Sequence, residues 1–333
     1  MLYPWHQAAW HELRQQTARL PHALLLCGEA GIGKLAFGRH LAQSLLCENE
    51  AATAPCGHCD GCRWFELGNH PDYRELAPLG SDSDEEEGTK KKPSTQITID
   101  QVRELNDFVN LSAHRGGRRV TLIQPADALN LAAANALLKT LEEPPEGAIF
   151  ILVSQQWRRL LPTLRSRCRR LPLPLPSRGP ALEWLSSQGL SEAERHLDEA
   201  GGAPLLALER AEAGLAQQRR ELLDQLADPR RLDVLKLAEK LDRQHVEVVQ
   251  AVDWLLRWIH DLVRLRLSGS TRYFPAETAR LAALADAADV QRLMRYHDDV
   301  LEARRLALHP LNPRLVFEQL LFGYQQALRG GRS

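Results

Sequence analysis

The 333-residue sequence has no uninterrupted apolar run near the ~20 residues that a membrane-crossing helix needs, so a helical span is excluded. Its opening, Met1-Leu-Tyr-Pro-Trp5, lacks the basic and apolar regions of a secretory signal, and a cytoplasmic location is expected. Net charge is also nearly absent. With 42 basic against 43 acidic residues, no global field draws a nucleic-acid backbone, and any such contact must be local or shared with partners. The sequence does not lack core-forming residues: 44% are hydrophobic and 26% charged, an ordinary globular balance. Single cores stop growing near roughly 250 to 300 residues, so two or three domains are expected.

Cysteine is scarce, yet four of the six are crowded between Cys47 and Cys62. In a cytosolic chain such crowding points to metal rather than disulfides. Cys47, Cys56, Cys59 and Cys62 spell C-x8-C-x2-C-x2-C, and four thiolates suit a closed, structural zinc site with no open coordination position. Gly57 and Gly61 fall where tight turns would fold back around the ion. His58 is an alternative ligand. A redox pair or an independent nucleic-acid finger are alternative uses, and for the finger only Arg63, Trp64 and Phe65 offer basic and aromatic surroundings. Cys27 and Cys168 read as core residues.

Leu24-Leu-Leu-Cys27 is a short apolar run ending at a glycine-rich loop, after which Phe37, Leu41 and Leu45 recur at helical spacing. Further apolar runs at residues 120–123 and 148–153 alternate with helical stretches, so the first half is α/β, a parallel sheet covered by helices. Residues 80–96 carry acidic and basic runs and no apolar side chain to bury, which reads as a disordered surface loop. Alternating prolines in Leu171-Pro-Leu-Pro-Leu-Pro176 mark the end of the α/β domain. Beyond them only helical patterns follow. Ser191-Glu-Ala-Glu194 has a capping-box spelling with a stop near Gly201-Gly202, and a small helical lid is expected there. Val248, Val249, Val252, Leu255, Leu256, Ile259, Leu262 and Val263 trace one apolar helix face before Gly269, flanked by Trp254 and Trp258, which read as core or subunit contacts.

Gly28-Glu-Ala-Gly-Ile-Gly33-Lys34 fits a phosphate loop, in which backbone N–H groups and a helix N-terminus cradle phosphates and a lysine adds charge. Gly28, Gly31, Gly33 and Lys34 are the candidate contacts. The next residue is Leu35, where an active loop needs a hydroxyl for Mg²⁺, and the strand at 120–123 runs into Gln124-Pro125 instead of an acidic pair. Hydrolysis of ATP is therefore not expected, whereas binding stays open beside a purely structural use of the loop. Arg165-Ser-Arg167-Cys168-Arg169-Arg170 is either a solvated face or a source of a guanidinium reaching a phosphate on an adjacent subunit.

Ala134-Asn-Ala-Leu-Leu-Lys-Thr-Leu-Glu-Glu-Pro-Pro145 followed by Arg165-Ser-Arg167-Cys168 resembles the bacterial clamp-loader subunits of DNA polymerase III, both the ATPase type (gamma/tau) and delta-prime. The resemblance extends to Tyr3-Pro-Trp5, Pro21-His-Ala-Leu-Leu25, the cysteines, His70-Pro-Asp-Tyr73 and Leu311-Asn-Pro-Arg-Leu315. Leu35, Gln124 and Pro125 favour the delta-prime branch, as does Leu205, where active relatives carry an arginine. The resemblance implies an AAA+ domain over residues 1–172 with a zinc module at 47–62, a helical lid over 173–213 and an all-α collar over 214–333. It further implies a hetero-pentamer with gamma/tau and delta, which loads a sliding clamp onto primer-template DNA, and a role for Arg167 as an arginine finger toward ATP on a neighbouring gamma/tau subunit. An autonomous gamma/tau-type ATPase and a zinc-dependent DNA-binding protein are the competing readings.

Overall fold

The computed structural model describes residues 2–16, 20–49, 54–79, 94–111, 117–307 and 312–328, and the chain divides into compact units over 1–180 and 181–333. The first unit runs α1 (Gln7–Gln15), β1 (Ala23–Cys27), α2 (Lys34–Leu45), α3 (Asp60–Glu66), β2 (Tyr73–Leu76), α4 (Ile99–Asn110), β3 (Arg119–Ile123), α5 (Leu131–Glu142), β4 (Ala148–Ser154), α6 (Pro162–Arg167) and β5 (Arg169–Pro172). Among the described residues the five strands form one sheet in the order β2-β3-β4-β1-β5, every neighbouring pair parallel.

Burial on both faces explains why β1 and most of β4 are written as continuous apolar runs, while β3, equally buried, carries Arg119 and Thr121 among its apolar residues. Alternation divides their side chains. Leu25, Ile123 and Leu152 join a core with α4, α5 and α6, whereas Leu26, Leu122 and Ile151 face α2 close to Gly38. The edge strands β2 and β5 are short and partly exposed, and the sequence pattern does not announce them. Most of the charged stretch expected as a disordered loop, residues 80–93, lies outside the described residues. The Ser94 N–H donates to Leu79 O at 2.9 Å where the described chain resumes. A capping box between Thr98 and Gln101 then starts α4.

The second unit is all helical: α7 (Arg178–Ser187, beginning just before the division), α8 (Ala193–Glu199), α9 (Pro204–Glu212), α10 (Ala216–Leu226), α11 (Val234–Arg243), α12 (Val248–Ser268), α13 (Thr278–Ala287), α14 (Val290–Leu306) and α15 (Pro313–Leu328). Ala181, Leu185, Leu197, Ala200 and Ala207 make a small core of α7–α9, and a larger core joins α10–α15. The apolar stripe of α12 ends at Gly269 in the left-handed conformation, as its spacing predicts. Trp254 and Trp258 are core residues, the latter donating to Tyr324 Oη at 2.8 Å. The capping box spelled at Ser191 does not form. Helix α8 begins at Ala193, and its N-cap Glu192 takes a left-handed φ of 53° with no side-chain cap bond. The Glu192 carboxylate is instead engaged by Arg195 and Arg220.

Candidate functional site

The phosphate loop leaves the end of β1 and enters α2 at its N-terminus. The Leu173 N–H donates to Cys27 O at 2.8 Å, and a Cβ on Gly28 would lie 2.4 Å from Leu173 O, so only glycine fits this approach. Gly33 is the N-cap of α2 at φ 87°, and Gly31 also has positive φ. Trp5 Nε1 donates to Ile32 O at 2.9 Å and braces the loop from outside. Lys34 is 5% exposed, and its Nζ donates to Glu29 O at 2.6 Å. Burial lowers its pKa to about 8, while the charges of Asp127, Glu29 and Cys27 work to raise it.

Leu35 stands where the loop would offer a hydroxyl, and Gln124-Pro125 follows β3, as the sequence indicates. Sequence reasoning missed Asp127, whose charge acts on Lys34. That carboxylate accepts from Ser154 Oγ at 2.6 Å and from the Gln155 N–H at 2.8 Å, with Gln156 N–H at 3.3 Å. It serves as an anchor between β3 and the end of β4, committed to donors within the chain.

The four Sγ atoms of Cys47, Cys56, Cys59 and Cys62 all lie within 4.8 Å of one another. The Cys47–Cys59 and Cys56–Cys62 separations are both 3.9 Å. A tetrahedron with metal–sulfur bonds of about 2.3 Å has edges of about 3.8 Å, so the donor set fits a closed tetrahedral ion. Backbone N–H groups of Cys59 and Cys62 donate to Cys56 Sγ and Cys59 Sγ at 3.4 Å each, which stabilises thiolate charge. The His58 N–H, followed by weaker influences, pulls the Cys56 thiol down to about 6, whereas burial pushes Cys62 far above the usual thiol range.

His58 is absent from this cluster; its ring is hydrogen-bonded to Cys56 O. Gly57 has the positive φ of a turn, but Gly61 corrects the sequence reading. It is helical, and it is glycine because a Cβ there would lie 2.6 Å from Leu46 O. The module is seated on the sheet edge through His70, which is buried and accepts from the Asp72 N–H at 3.0 Å. Asp72 in turn faces Arg119, the first residue of β3, at 3.7 Å. His70-Pro-Asp-Tyr73 therefore has a packing function that its spelling does not reveal.

Arg167 ends α6, and its Nη2 donates to Glu142 Oε1 at 3.0 Å, with the two side chains 46% and 50% exposed. The neighbouring arginines part company with it. Arg169 bonds to Gln16, whereas Arg158, Arg165 and Arg170 gather on Trp157, with guanidinium carbons 4.9, 5.6 and 4.6 Å from the ring centroid. Among the described residues only Arg167 of this group has a carboxylate partner. Cys27 and Cys168 are buried thiols, as expected.

Two family models match the chain, "DNA polymerase III, delta subunit" over residues 5–177 and "DNA polymerase III, delta subunit, C terminal" over residues 213–326. The DNA polymerase III subunit delta' of Pseudomonas aeruginosa is 36% identical over 330 residues, 96% of either chain. That of Escherichia coli K12 is 32% identical, over 99% of this chain and 97% of its own. The tau subunit of E. coli K12 is 37% identical over 155 residues, which are 46% of this chain and 22% of tau. Two delta-subunit family models that together span most of the chain, joined to matches along nearly the full length of two delta' subunits, leave one assignment: the chain belongs to the delta-prime family of DNA polymerase III clamp-loader subunits.

Proposed function

We propose that this clamp-loader subunit does not hydrolyse ATP itself and that it lends Arg167 to the ATP held by a neighbouring gamma/tau subunit. The observation that carries the reading is the loop. Its glycine cradle and Lys34 are intact, while Leu35, Gln124 and Pro125 offer nothing to magnesium and Asp127 is committed to Ser154 and the Gln155 N–H. Arg167 is half exposed at a helix end, and a guanidinium there suits the forked contact that phosphate oxygens accept.

In this reading residues 1–172 are the AAA+ domain, 173–213 the lid and 214–333 the collar, a division supported by the separate cores of α7–α9 and α10–α15. Zn²⁺ held by Cys47, Cys56, Cys59 and Cys62 is structural. The partners are gamma/tau and delta in a hetero-pentamer, with the sliding clamp and primer-template DNA reached through the complex, in the cytoplasm. No described helix is long and apolar enough to cross a membrane. Co-expression with gamma/tau and delta tests the reading. A complex containing this chain, whose clamp-loading activity disappears when the chain is omitted, is the expected result; assembly and loading that proceed equally well without it would refute it.

A further inference from the structure

We propose that a small cavity between α9, α10 and α12 binds one tetrahedral oxyanion, inorganic phosphate or an ion of its kind. The cavity has a volume of about 60 Å³. A single water needs about 10 to 15 Å³, so roughly four water-sized groups fit, as many as such an ion has oxygens. Arg210 of α9, Arg219 of α10 and Arg257 of α12 all line it. Leu215 and Trp254 supply apolar wall, and Asp253 is the one carboxylate among the described lining residues.

The bonds around the cavity leave positive charge over. Asp253 is divided between Arg257 Nη2 and Arg304 Nη2, each at 3.2 Å. Glu199, outside the lining, is divided in the same way between Arg195 and Arg219. Arg210 has no carboxylate partner among the described residues; its Nη1 donates to the Glu199 carbonyl oxygen at 3.2 Å. Arg219 is 4% exposed, and its Nε is buried without a hydrogen-bond partner among the described residues. Water would satisfy such donors and leave the charge. An oxyanion answers both, because its oxygens accept the paired N–H groups of a guanidinium fork. Burial is the first cause lowering the pKa of all three arginines, and for Arg210, brought to about 10, the charge of Arg257 comes next. All three stay cations at neutral pH.

The position gives the ion a task. Helix α9 belongs to the small core of α7–α9, whereas α10 and α12 belong to the larger one. An oxyanion held by Arg210 on one side and by Arg219 and Arg257 on the other ties the two cores together. The site lies wholly in the second unit and shares no residue with the phosphate loop or with Arg167.

The test is calorimetric titration of the full, zinc-loaded chain with inorganic phosphate in low-chloride buffer, carried out in a Lys34→Ala background so that the loop before α2 does not contribute. One site with a Kd of about a millimolar or below is expected, and phosphate should raise the melting temperature. Arg210→Gln should weaken binding about tenfold or more and remove most of the thermal shift, and Arg210→Lys should recover only part of it, since it keeps the charge without the fork. Asp253→Asn removes a competing carboxylate and should tighten binding about threefold, a gain that a merely structural cluster would not show. Each variant is checked for unchanged helicity and zinc content. Phenyl phosphate separates two sources of the same chemistry: binding no tighter than that of inorganic phosphate assigns the free ion, and tighter binding assigns a phosphate carried on a larger molecule, both at this site. No heat and no thermal shift at about ten millimolar phosphate overturns the proposal. So does an Arg210→Gln variant that binds as its parent does, or a folded Asp253→Asn variant that binds more weakly. Chloride that displaces phosphate at equal concentration overturns it as well, since the cavity then takes any anion.

Discussion

Arg167 Nη2 lies 3.0 Å from Glu142 Oε1, and both partners are about half exposed to solvent. An ion pair in that setting contributes roughly 0 to 1 kcal/mol, so it can orient the guanidinium without locking it. Arg167→Ala in a reconstituted loader should lower ATP turnover and clamp loading while assembly persists. A well-placed finger is worth ~10³ to 10⁵ in rate at its own site, and the total loss is smaller because other sites continue. Arg167→Lys should fail in the same way, since a point charge lacks the fork. Glu142→Ala should leave turnover near that of the unmodified loader. Unchanged turnover in Arg167→Ala, together with a lower melting temperature of the isolated chain, would reduce the pair to a local brace.

One zinc per chain is expected from four sulfurs spaced for tetrahedral coordination. In small zinc peptides binding couples to folding by ~10 to 16 kcal/mol, so removal should unfold the module over 47–62 rather than leave it standing empty. Hydrogen exchange after chelation should show lost protection in α3, with β1 and β4 retained. Native mass spectrometry that finds less than half a zinc on freshly purified, reduced chain would defeat the assignment.

No magnesium-dependent ATPase activity is expected of the isolated chain. Asp127 does not replace the missing carboxylates, because Ser154 Oγ and the Gln155 N–H already occupy it. Asp127→Ala should therefore act on stability, by about 1 to 3 kcal/mol for the donors it leaves unpaired, as read from urea denaturation. Turnover that co-elutes with the chain and vanishes in Lys34→Ala would contradict the prediction.

The sequence announces those elements whose physical cause is local. β1, the loop and α2 follow from an apolar run, glycines and helical spacing, and the gathering of Cys47, Cys56, Cys59 and Cys62 follows from cysteine intervals alone. The edge strands β2 and β5 escape because Tyr-Arg-Glu-Leu and Arg-Arg-Leu-Pro owe their conformation to a neighbouring strand, not to their own pattern. The capping box at Ser191 fails for a related reason: distant Arg220 engages Glu192 and the local spelling loses. Asp127 and Trp157 are likewise invisible in sequence, since their partners lie on other elements. Arg167 is legible through its motif, but its partner Glu142 is 25 positions away and becomes evident only in three dimensions.

Acid should weaken the first unit through His6. Its side chain is 1% exposed, meets Phe37 edge-on at 5.4 Å, and offers two ring nitrogens without a hydrogen-bond partner among the described residues. Burial first, and then the charge of Lys34, hold its pKa at about 4, below the ordinary 6.5. The unfolded chain therefore takes up the proton more readily than the folded one. Above the ordinary value both states are neutral and nothing is lost; as pH falls through the window between those two values, protonation favours unfolding. The penalty reaches about 2 to 3 kcal/mol near the bottom of the window. His6→Phe keeps a ring against Phe37 and removes the titration. Its unfolding free energy should consequently fall less than that of the wild type between about pH 7.5 and about pH 4.5, by this same amount. His40, held near 4 by burial and neighbouring positive charge, is common to both proteins, so the difference between them isolates His6. Equal pH slopes for the two proteins would show that the imidazole finds a partner or solvent on protonation, and that it does not set the acid limit of the fold.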